Sequence, residues 1–116
     1  MEGFWTVQFT GIQGWGAGVL TVVGGQLFGG DSSFLYTGTY QQNGNSITAH
    51  VHVKRFAPGL PNVMGREEFD LELAATLQGN TAKATAKIPG TQLQLVGTLT
   101  KQGSLPAKAA GLATGA

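Results

Sequence analysis

Two histidines sit in one short segment, His50-Val51-His52. Residues two apart on a strand point to the same side, so both imidazoles could reach one metal ion. A protein metal site takes three or four ligands, and the chain has no further histidine and no cysteine. The nearest carboxylate is Glu67, beyond a proline-containing stretch. The expectation is therefore two exposed strand histidines and no metal site. Asp31-Ser32-Ser33 offers an acid and two hydroxyls, but no Gly-x-Ser-x-Gly elbow accompanies it, and Ser and Asp together are ordinary turn chemistry. Glu67, Glu68, Asp70 and Glu72 concentrate four of the six acids. Paired carboxylates can do acid–base work. Glu68, Asp70 and Glu72 alternate with Phe69, Leu71 and Leu73, however, which places them on the solvated outer face of a strand, open to a basic partner. Gly14-Trp15-Gly16-Ala17-Gly18 is glycine-rich, as phosphate-binding loops are, but neither a helix nor a Lys-Ser/Thr pair follows it. No catalytic set emerges. The residues read as those of a non-enzymatic protein with no cofactor.

The elements that carry these residues are strands. The chain has 116 residues, a length suited to one domain with one modest core. Its 19 glycines are more than twice the usual share, and Thr, Val and Gln are abundant. That composition favours strands and turns over a helical bundle. A net charge of +1 gives no electrostatic footprint for nucleic acid. No apolar run reaches the roughly 18 residues of a membrane helix, so no membrane partner is expected. Met1-Glu2-Gly3-Phe4-Trp5 lacks the basic and apolar regions of a signal peptide. With no cysteine for disulfides, the expected location is cytoplasmic.

Gly3 to Thr10 alternates, with Trp5, Val7 and Phe9 on one face. Strands follow at Trp15 to Val23, Gln26 to Gly29, Phe34 to Gln42, Ser46 to Phe56, Glu67 to Leu77, Thr81 to Ile88 and Gln92 to Lys101. Gly24-Gly25, Asn43-Gly44, Gly79-Asn80 and Pro89-Gly90 punctuate them as tight turns, and Ala57 to Gly65 reads as a loop. Eight short, evenly spaced antiparallel strands predict an all-β domain, an up-and-down barrel or a closed sandwich, over residues 1–102. Pairing of Gly3 to Thr10 with Gln92 to Thr100 would close a barrel. Residues 103–116 form an Ala/Gly-rich tail, with room for one short helix over Ala107 to Ala110.

Turn chemistry sets expected registers. A two-residue Asn43-Gly44 loop places Tyr40 opposite Ile47, Tyr36 opposite Val51 and Phe34 opposite Val53. The aromatics then point inward, and His50 and His52 point outward. A three-residue loop would reverse the histidines. The first register sorts polarity more cleanly. A two-residue Gly79-Asn80 loop sets Glu72 opposite Lys87 and Thr76 opposite Lys83. It also sets Phe69, Leu71, Leu73 and Ala75 against Ala82, Ala84, Ala86 and Ile88, where small beside large leaves either a cavity or complementary packing. The candidate lining of such a cavity is Trp5, Val7, Phe9, Phe34, Tyr36, Tyr40, Val51, Phe69 and Leu71, and its occupant would be a small lipophilic ligand.

Gly3-Phe4-Trp5 resembles the Gly-x-Trp start of lipocalin-type barrels. A longer series is Gly3-Phe4-Trp5-Thr6-Val7-Gln8-Phe9, Gly16-Ala17-Gly18-Val19-Leu20, Gly29-Gly30-Asp31, Tyr36-x-Gly38 and His50-Val51-His52. In this order, over about residues 3 to 101, it resembles the GrlR-like family, negative regulators of type III secretion. The resemblance implies a short bacterial protein with a lipocalin-like eight-stranded barrel that regulates by contact. It implies a homodimer that restrains a transcriptional regulator. The family's acidic contact tract, between the fourth and fifth strands, falls on Gln42, Asn43, Gly44 and Asn45, where this chain has no acid. Leu35 with its neighbouring threonines is a candidate for a strand-face interface.

Overall fold

The computed structural model describes residues 1–11, 14–59 and 66–106. Ile12 and Gln13 in the first turn, residues 60–65 of the expected loop and the tail from Ala107, with its expected helix, lie outside the described residues. Eight strands run in chain order: β1 Gly3–Gly11, β2 Gly14–Val23, β3 Gln26–Gly30, β4 Phe34–Asn43, β5 Ser46–Arg55, β6 Glu68–Gln78, β7 Thr81–Lys87 and β8 Gln94–Gly103. No helix occurs among the described residues. Each strand pairs antiparallel with the next, and β1 pairs with β8. The sheet is a closed up-and-down barrel, consistent with a lipocalin-like one, and so has no free long edge.

Alternation drives closure. Trp5, Val22, Ile47, Val53, Phe69, Leu71 and Leu99 point into one core. The outward positions on β6 are charged, where Glu68, Asp70 and Glu72 are exposed, whereas those on other strands include exposed apolar side chains such as Phe4, Trp15, Phe28 and Val96. Trp5 is the largest of the fully buried side chains, and its indole N–H donates to the Met1 carbonyl at 2.9 Å. A buried indole needs such a partner.

The β6–β7 register is as the turn chemistry required, with Glu72 opposite Lys87, Ala74 opposite Thr85 and Thr76 opposite Lys83. The β4–β5 register is not. The turn residues are Gly44 and Asn45, so Asn43 pairs Ser46, Tyr40 pairs Ala49, Tyr36 pairs Val53 and Phe34 pairs Arg55. Gly44 has φ +64°, whereas no non-glycine residue among those described has positive φ. A two-residue turn of the II′ kind wants glycine at its first central position, which moves Asn43 back into the strand. The slip moves each strand by one residue, so each residue's partner shifts by two and every side chain keeps its face. The aromatics still point inward and both histidines outward.

β8 begins at Gln94 rather than Gln92. Thr91 explains it: its hydroxyl donates to the Ile88 carbonyl at 2.8 Å and accepts the Leu93 N–H at 3.1 Å. Those bonds make residues 88 to 93 a turn rather than ladder. The glycines of the Gly-Gly-Asp and Tyr-x-Gly elements have a backbone reason. A Cβ on Gly29 would overlap the Val19 carbonyl oxygen, and one on Gly38 would overlap the His50 carbonyl oxygen. Neighbouring backbone passes too close for any other residue.

Candidate functional site: the barrel cavity and the outer faces

The interior is not filled. A cavity of about 100 Å³ runs within the barrel, bounded almost wholly by apolar side chains. Val7 and Phe9 of β1, Phe34, Tyr36 and Tyr40 of β4, Val51 of β5, and Phe69 and Leu71 of β6 line it. Trp5, also expected there, is packed away from it in the core. The space has a readable cause. Ala75, Ala84 and Gly97 pair across β6, β7 and β8 in one rung, and all three line the cavity. Three minimal side chains in a row leave the opposite aromatics unopposed. Of the two arrangements compatible with the sequence, cavity or complementary packing, the barrel adopts a cavity on this side.

At one end of this apolar wall two polar residues satisfy each other. Asp31, in the turn between β3 and β4, lines the cavity beside Tyr36. Asp31 Oδ1 accepts the N–H groups of Ser33 at 2.9 Å and Phe34 at 2.8 Å. Asp31 Oδ2 accepts the Tyr36 hydroxyl. Burial, then that hydrogen bond, then the carboxylate charge, all raise the Tyr36 pKa, so the phenol keeps its proton. The Tyr36 ring meets Phe9 edge to face, with centroids 6.5 Å apart. The Arg55 guanidinium lies 4.5 Å over the Phe34 ring and also bonds the Glu67 carboxylate and the Ala57 carbonyl. No pattern in the sequence signals the Asp31–Tyr36 bond. Asp31-Ser32-Ser33 is a carboxylate-capped turn, in which Asp31 holds the Ser33 and Phe34 backbone N–H groups.

The outer surface has two characters. On β5 and β6 the charges meet in register, with Lys54 opposite Glu68, His52 opposite Asp70 and His50 opposite Glu72. His52 Nδ1 lies 2.8 Å from Asp70 and Nε2 lies 2.8 Å from Glu68. Hydrogen bonding to Asp70, then to Glu68, raises the His52 pKa. The acidic strip is thus met from within the sheet by His52, Lys54 and Lys87. Among the described residues no group of three or more His, Asp or Glu side chains could hold a metal ion.

From Gly3 to Val53, by contrast, the only Asp, Glu, Lys or Arg is Asp31. The outward face of β1–β4 is accordingly Thr, Gln and large apolar residues. Phe4 and Phe28 flank Thr21 across β1, β2 and β3, and Val19 and Leu35 flank Gly30 across β2, β3 and β4. All four apolar side chains are between 42% and 47% exposed. The run of uncharged sequence is the signal that points to this face, and Leu35 is the one residue of the four that the sequence reading selects. The hairpin tract Gln42, Asn43, Gly44 and Asn45 is exposed at the end of β4 and β5, where the Gln42 Oε1 accepts from the N-terminal ammonium at 3.0 Å.

No model of a protein family matches the chain, and no curated protein matches it.

Proposed function

We propose that this chain is a non-enzymatic regulatory protein that works by contact with another protein, a transcriptional regulator, as its resemblance to the GrlR-like family implies. The observation that supports the reading is the uncharged outer face of β1–β4, where Phe4, Val19, Phe28 and Leu35 stand half-exposed on adjoining strands. Exposed apolar side chains grouped on one uncharged face are a feature of interaction sites. Its position also answers the missing acidic tract at Gln42 to Asn45: the contact moves from the hairpin tip to the sheet face. The same face would serve a homodimer, and the setting proposed is the bacterial cytoplasm. A photo-crosslinking residue at position 28, in the native host, tests this. The expected result is one stoichiometric protein adduct that disappears in a Phe28→Lys, Leu35→Lys variant of unchanged circular dichroism. Capture of no protein, or capture indifferent to the two lysines, overturns it.

A second reading is favoured by the cavity. At about 100 Å³ it falls below the roughly 300–1,000 Å³ of sites for drug-sized ligands, and is of the order of the ~150 Å³ cavity that takes benzene. It suits a small ring rather than a long-chain lipid. Native mass spectrometry of gently purified protein would show an added small mass, lost on denaturation. A bare mass, together with no binding of small aromatics, would end this reading.

A further inference from the structure

The barrel closes, but its wall is uneven. β3 has five residues, whereas β2 and β4 beside it have ten each. β3 pairs with β2 only over Val19 to Val23. From Gly14 to Gly18, β2 pairs with β1 on one side, and no strand among the described residues pairs with it on the other. Alternate residues of an antiparallel strand turn their N–H and C=O groups to opposite sides. Two residues separate Gly11 from Gly14, and two separate Val23 from Gln26. Hairpins of that length close on a hydrogen-bonded pair, and both give β2 the same phase. Gly14, Gly16 and Gly18 bond β1, and Trp15 and Ala17 turn their backbone groups to the open side.

The surface shows the same opening. One groove is lined by Trp15, Ala17 and Val19, which point outward, and also by Gly16 and Gly18, whose absent side chains would meet the inward rings of Phe9 and Tyr36. A groove that touches both faces of a strand passes round its edge. The far wall is the turn Asp31 to Ser33 with Pro58 and Gly59. Natural edges are guarded by lysine, proline or a bulge, and Gly14 to Gly18 holds neither lysine nor proline. Free backbone donors and acceptors along an edge are matched by an extended polypeptide. Val7, Phe9 and Phe34 face the inner side of the groove, so the occupant's inward side chains are apolar. Among the described residues lining it only Asp31 is charged, and its two oxygens already accept from Ser33, Phe34 and Tyr36. A second barrel would bring β1 in behind its β2 and meet the far wall, which a single segment does not.

We infer that Gly14 to Gly18 of β2 is a strand-addition site, which takes one extended, uncharged segment of a partner protein with apolar residues at alternate positions. This rests on the protein-contact reading and names how the contact is made. Val19 lines the groove and also belongs to the half-exposed apolar face of β1–β4, so the two surfaces are continuous.

The test follows amide hydrogen exchange of the intact chain with and without a blocked peptide of alternating threonine and valine. In the free chain the Trp15 and Ala17 amides are expected to exchange fast, unlike those of Gly16 and Gly18. The peptide is expected to slow those two about tenfold or more. Ala17→Pro removes one free donor at a position where an edge strand accepts proline, and it is expected to abolish the protection. Should that variant not fold, the parent decides alone: protection by the peptide at Trp15 and Ala17 supports the inference, and protection elsewhere or none overturns it. Slow exchange of both amides in the free chain shows the edge already covered and overturns it. Slowing that grows with protein concentration assigns the edge to a second copy and overturns it. A peptide that fails while capture at position 28 persists overturns the strand-addition site and leaves the protein-contact reading standing. Failure of both overturns both.

Discussion

The sign of a single stability change tests whether the cavity is real space. Ala84 lines the cavity, whereas Ala82, two residues earlier on the same face of β7, is packed against the core and only 1% exposed. Ala84→Val adds two carbons facing Ala75 and Gly97 across the rung. At about 0.8 kcal/mol for each buried carbon, the transfer gain is about 1.6 kcal/mol. The whole cavity bounds the gain from above: at ~24 cal/mol per Å³, its removal recovers about 2.4 kcal/mol. Valine also suits a strand better than alanine. Some rotamer strain offsets this, so a net stabilisation of about 1 kcal/mol is expected, a rise in Tm of roughly 4–6 °C for a domain of this size. Ala82→Val places the same two carbons where no space exists, and overpacking there is expected to cost about 1–3 kcal/mol. Urea unfolding of the two variants beside the parent gives both signs in one experiment. If Ala84→Val loses as much stability as Ala82→Val, the interior at Ala84 is filled and the cavity argument fails. The first variant is also expected to weaken the binding of any small aromatic probe, because it removes the volume that a ring would occupy.

Three further outcomes follow from particular contacts. His52, held between Asp70 and Glu68, has its folded pKa raised above the unfolded value of about 6.5. Its contribution is therefore fully present below that pH and is lost as pH rises through the folded value. Because the side chain is 41% exposed, solvent screening limits the contribution to about 0.2–1 kcal/mol. The difference in Tm between the parent and His52→Gln, followed from pH 5 to pH 9, should shrink with rising pH, and a constant difference refutes the clamp. Gly38→Ala is expected to lose about 3 kcal/mol or more, because its Cβ would overlap the His50 carbonyl oxygen. Gly44→Ala meets nothing within 4 Å and is limited by its φ of +64°, so its cost should stay near 1–2 kcal/mol. A denaturant series that ranks these two the other way contradicts the backbone reading of the Tyr-x-Gly element.

What sequence can and cannot supply divides along physical lines. Period-two alternation exposes a strand's buried face directly, so the inner residues of β1, β5, β6 and β7 are legible from residue type and spacing alone. Hairpin registers follow where the turn is unambiguous, as at Gly79-Asn80. At Asn43-Gly44-Asn45 two turns compete, and only the backbone requirement for positive φ at the first central position decides between them. The faces are the same in either register, because the two differ by an even number of residues at each partner. Contacts across a long connection carry no such protection. The pairing of His52 with Glu68 and Asp70 depends on how β6 returns after residues 56–67, and no local rule fixes that return. In sequence the histidines therefore stand apart from the carboxylates that the sheet brings beside them. The same holds within the cavity. Its walls are legible as inward aromatics and alanines, but the partner that keeps the Tyr36 hydroxyl paired is not. That bond depends on Asp31 lying in the turn before β4, and residue spacing alone does not bring the two side chains together.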